Sequence, residues 1–103
     1  MNAQTTIKLD EIETFLGPIP ADERERREKL RSYRNAASAM LATTRCDTSR
    51  HLAWTAIEWI SPNIYAPAPI EWLDKLNLLA RRLMLTALTA QEMDDLLREG
   101  EDA

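Results

Sequence analysis

Helix-breaking residues gather in two places in this chain and are nearly absent elsewhere. Gly17-Pro18-Ile19-Pro20 closes a short first segment, and Ser61-Pro62-Asn63-Ile64-Tyr65-Ala66-Pro67-Ala68-Pro69 divides the remainder of the chain. All five prolines and one of the two glycines lie in these stretches, so the spans between them read as helix almost without interruption. The pattern predicts an all-α fold, a small helical bundle of about four main helices with a short N-terminal helix. At 103 residues this is one domain. Residues 1–20 are expected to form an N-terminal brace and proline linker, 21–97 the helical core and 98–103 an acidic frayed tail.

The apolar spacing assigns each span a buried face. In the first segment Asp10 and Glu13 have capping-box spacing, Thr6 offers a rival start, and Ile12, Phe15 and Leu16 form the apolar side. From about residue 21 to 45, Leu30, Tyr33, Ala37, Met40, Leu41 and Thr44 recur at steps of three and four, so this face is core. The first half of that helix is polar all round and is expected to project beyond the core. Its pairs Asp22 with Arg26, Glu23 with Arg27 and Glu25 with Lys29 place an acid four residues before a base, worth about 0.2–0.5 kcal/mol each.

Asp47, Thr48 and Ser49 look like a cap for a helix over residues 50–60 that Ser61-Pro62 should stop. Leu52, Ala53, Ala56, Ile57 and Ile60 form its apolar side, and Trp54 and Trp59 flank a polar stripe of His51, Thr55 and Glu58. A further helix over residues 69–87 carries Trp72, Leu73, Leu76, Leu79, Ala80, Leu83 and Ala87 on its core face. Thr89 with Glu92 as capping box, and Leu88 with Met93 as staple, predict a separate last helix ending at Gly100.

Composition removes most chemistry. Two glycines leave no phosphate-cradling loop, one cysteine leaves no disulfide frame, and one histidine with scattered acids gives no metal-ligand spacing. His51, Thr55 and Glu58 share a helix face, yet no second carboxylate cluster or pocket-forming glycine accompanies them. Cys46 beside Arg45 with His51 is a still weaker nucleophile pair. The chain is therefore expected to be neither an enzyme nor a cofactor binder.

Charge is uneven. Residues 21–50 carry eight bases against five acids, and 92–103 one Arg against six acids. There is no basic leader with an apolar stretch behind it, and no apolar run approaches the ~20 residues that cross a bilayer. With one unpaired cysteine, the expectation is a cytoplasmic protein with no membrane contact.

Three surface features remain. Arg24, Arg27, Arg31 and Arg34 line one helix flank, with forks suited to phosphate or carboxylate, although Glu23, Glu25 and Glu28 neutralise much of it. Trp54 and Trp59 sit at a core border and belong to the residue type that most often anchors a protein interface, whereas Trp72 reads as structural. Leu78 and Leu85, seven apart, make a second apolar seam. Either a terminal helix of this chain or a second chain is expected to cover it.

The preferred expectation is a small non-enzymatic adaptor or inhibitor that binds another protein through Trp54, Trp59, Leu78, Leu85 and the arginine flank, of the plain size of phage- or plasmid-borne inhibitors, with self-association as a companion expectation. The alternative is a nucleic-acid-associated regulator contacting phosphates through Arg24, Arg27, Arg31 and Arg34. A helix-turn-helix at residues 89–100 is disfavoured, since Glu92, Asp94 and Asp95 would face the phosphates.

Overall fold

The computed structural model describes residues 16–102, with side chains as far as residue 100. Among these residues every regular element is helical: α1 Glu23–Thr43, α2 Asp47–Ile64 and α3 Ile70–Asp102. Each helix packs against the other two. Three helices thus stand where four main ones were expected. The short N-terminal helix lies outside the described residues except for Leu16, which is buried. Gly17 follows it with φ of +71°, a left-handed turn that glycine adopts without strain.

The helix count falls because the last two expected helices are one. Thr89 does not cap a new helix; its hydroxyl donates to the Leu85 carbonyl at 2.8 Å, the bond of a threonine inside a helix. Gly100 does not end α3 either. At 33 residues α3 is about 50 Å long, and it sets the longest dimension of the molecule, 51 Å.

The other boundaries also moved for identifiable reasons. Asp22 caps α1, accepting from the Glu25 amide at 3.2 Å. Cys46, rather than the Asp47-Thr48-Ser49 cluster, caps α2, its Sγ accepting from the Ser49 amide at 3.4 Å. α2 runs through Pro62 to Ile64, where the expectation placed its end at residue 60. A proline removes one helical bond, here to the Glu58 carbonyl, but Glu58 and Pro62 are both exposed, so water can serve that carbonyl. The frayed end is then held from outside. Asn63 Nδ2 donates to the Trp59 carbonyl at 2.7 Å, and Arg27 of α1 donates to the carbonyls of Asn63 and Ile64 at 3.3 and 2.9 Å.

The core is built from Leu30, Tyr33, Ala37 and Met40 of α1, Ala53, Ala56, Ile60 and Ile64 of α2, and Leu73, Leu76, Ala80, Met84 and Ala87 of α3. Its alanines let the helix axes approach closely. On α3 the buried face is rotated from the expected one: Met84 and Asn77 are inside, and Trp72 is half-exposed. Asn77 Nδ2 donates to the Leu73 carbonyl at 2.9 Å and to the Arg26 carbonyl at 3.3 Å, which joins α3 to α1.

The polar half of α1 does not project. Arg26 is buried, with Nε 2.7 Å and Nη2 3.3 Å from the two carboxylate oxygens of Asp74, and it also donates to the Ala21 carbonyl. The projecting element is the end of α3. Cys46 Sγ lies 3.6 Å from the Ala90 carbonyl, so the α1–α2 turn meets α3 there. Residues 91–102 run on past it for about 18 Å.

Candidate apolar groove between α2 and α3

The last turns of α2 and the first turns of α3 leave a groove of about 260 Å³, lined by Glu58, Trp59, Pro62, Asn63, Trp72, Lys75, Leu76 and Leu79. Proline and asparagine at the end of α2 shape one wall. The rotation of α3 puts Trp72 on the other, 100° around the helix from buried Leu73. Trp59 is 51% and Trp72 48% exposed, so about half of each residue is open to solvent. The Trp72 ring is oriented by Asn63, whose Oδ1 accepts from Nε1 at 3.4 Å. Oppositely charged Glu58 and Lys75 stand among the lining residues. The volume is below that of drug-sized ligand pockets, about 300–1,000 Å³, and suits one or two inserted apolar side chains.

The expected contact residues are not gathered into one surface. Trp54 is also 51% exposed, but five residues from Trp59 it lies about 140° around α2 and outside the groove. Leu78 is half-exposed, whereas Leu85 packs partly against the core. The arginines do not act as one flank. Arg24 is exposed; Arg27 is held at the end of α2 and 3.4 Å from Glu23; Arg31 lies 3.0 Å from Glu28 and 5.8 Å from the centre of the Tyr65 ring. A hydrogen bond from Arg34, then the charges of Arg31 and Arg34, hold the Tyr65 phenol below the usual tyrosine range.

Two of the polar residues considered for chemistry, Thr55 and Cys46, serve the backbone. Thr55 Oγ1 donates to the His51 carbonyl at 2.9 Å, and Cys46 is a buried cap. Periodicity placed Trp72 on the core face and did not single out Tyr65, yet both are surface residues. Trp72 lies one position from the core face, and Tyr65 lies in the proline-rich turn, where no periodicity exists.

No helix among the described residues is long and apolar enough to cross a membrane. No family of proteins, no curated protein and no solved structure matches the chain.

Proposed function

We propose that the protein is a non-enzymatic protein-binding module, an adaptor or inhibitor, that receives an apolar helix of another protein in the groove between α2 and α3. One observation carries the reading: two half-exposed tryptophans, Trp59 of α2 and Trp72 of α3, line one groove instead of packing into the core. An indole supplies a large apolar contact area at low conformational cost, which is why tryptophan dominates binding hot spots. Phosphate contact through the arginine flank has less support, because Arg27 is tied to the end of α2 and Arg31 to Glu28 and Tyr65.

Panning a display library of helical peptides against the chain, with Trp59→Ser/Trp72→Ser as counter-target, tests the proposal. Enriched peptides should carry apolar residues three and four apart and shift the tryptophan emission of the wild-type chain. Equal retention by both chains, with melting temperature unchanged, would contradict it.

A further inference from the structure

We infer that a second copy of this chain is a partner for the groove, through antiparallel pairing of two α3 helices that lays the projecting end of each along the groove of the other. The inference rests on reading the groove as a seat for a helix, and it names what sits there.

The first support is a heptad repeat along α3. Leu76, Leu83, Ala90 and Leu97 are spaced by seven, and so are Trp72, Leu79, Thr86 and Met93, the two series interleaving at steps of four and three. Seven of these eight positions are apolar, and a pattern sustained over four heptads is the signature of a coiled-coil seam. The seam is distinct from Leu78 and Leu85. Its cover is partial: Leu76 is buried and Leu83 packs against the core, but Trp72 is half-exposed, Met93 57% and Leu97 68% exposed.

The second support is the projecting end itself. A helical segment of about twelve residues is marginal in water without packing on one face. Residues 91–102 extend past the α1–α2 turn, and Met93 lies roughly 150° and Leu97 roughly 110° around the helix from the α3 residues that pack on α1 and α2. Their apolar stripe therefore points away from the core and continues the groove wall formed by Trp72 and Leu79.

Charge decides the direction. Residues 92–103 carry six acids and one Arg, so parallel pairing sets acid beside acid. Antiparallel pairing in the register below sets this end along residues 66–77, whose only charges are Glu71, Asp74 and Lys75, with Asp74 already paired with Arg26, so the acidic end is spared a second acidic run. The seam then closes with Trp72 against the partner's Leu97, Leu76 against the partner's Met93, and Leu79 against the partner's Ala90. Each end supplies the helix that the partner's groove lacks, and the two-fold arrangement is closed.

Sedimentation equilibrium on the full chain tests this, with Met93→Glu/Leu97→Glu as the disrupting variant. The wild type is expected to be a dimer at tens of micromolar and the variant a monomer with at least tenfold weaker association, the two melting alike only at dilutions that dissociate the wild type. Register is tested in a Cys46→Ser background by oxidising a mixture of Lys75→Cys and Leu96→Cys chains. Antiparallel pairing predicts the mixed disulfide over either like pair; preference for like pairs would overturn it. A monomeric wild type, or a dimer untouched by Met93→Glu/Leu97→Glu, would overturn the inference as well. The groove reading is judged separately: the variant chain should bind the panned peptides at least as tightly as the wild type. Peptide binding by a monomeric wild type would leave that reading standing without this one.

Discussion

Arg26 of α1 and Asp74 of α3 form a two-pronged ion pair, 2.7 and 3.3 Å, across 48 positions of sequence. It fixes the polar start of α1 on α3, next to the Asn77 bond to the Arg26 carbonyl. Removing the carboxylate leaves a buried guanidinium without its partner. Asp74→Ala should therefore cost about 2 kcal/mol in urea unfolding. Glu28→Ala, which breaks only the exposed pair with Arg31, should cost under about 0.5 kcal/mol. Equal effects would mean that the buried pair does not anchor α1.

The two tyrosines should titrate apart. Burial pushes the Tyr33 phenol above 10, with Arg81 acting weakly the other way, while Arg34 and Arg31 hold Tyr65 below 10. Absorbance at ~295 nm, where ionised phenol absorbs, should rise in two steps, the early one lost in Tyr65→Phe and the late one in Tyr33→Phe. The stability signs are opposite. Tyr65, ionising earlier in the folded chain, adds stability as pH rises from its lowered value to 10 and loses it as pH falls. Tyr33 contributes below 10 and loses that contribution as pH climbs through its raised value. A single step near 10 would contradict both environments.

Stability should separate the groove from the core. Trp59→Ala and Trp72→Ala each remove a half-exposed ring and should cost under about 1 kcal/mol, typical of surface change. Ile60→Ala, one residue from Trp59 and fully buried, should cost about 2–5 kcal/mol. A loss of that size at either tryptophan, measured by thermal melting, would return the ring to the core.

Ala90→Pro distinguishes one long helix from two. Were Thr89 an N-cap, position 90 would be the first helical residue, where proline is favoured. Inside a continuous α3, proline there removes the bond to the Thr86 carbonyl and costs about 3 kcal/mol. Circular dichroism at ~222 nm, the helical band, should lose intensity in this variant; unchanged helicity would support a break at Thr89.

The all-helical class and most of the core were legible because periodicity is a direct imprint of one-sided burial. Leu30, Tyr33, Ala37 and Met40, then Ala53, Ala56 and Ile60, lie where their spacing puts them. Helix ends were read less well, since caps are local signals that tertiary contacts override. Pro62 is carried because Arg27 and Asn63 serve the carbonyls beside it, and Thr89 is bypassed because nothing in residues 85–95 breaks a helix. Arg26 was invisible as a core residue because its partner is 48 positions away. The groove was half legible: Trp59 was marked by its place beside the core stripe, but Trp72 depends on a rotation of α3 that buries Asn77 and Met84.

The most direct test of the groove is the indole N–H region of a ¹H–¹⁵N spectrum, in which each of the three tryptophans gives its own signal. Adding a panned helical peptide to the Met93→Glu/Leu97→Glu chain should move the Trp59 and Trp72 signals and leave Trp54 in place. Movement of Trp54 alone, or of none of the three, would contradict the assignment of this groove as the protein-binding site.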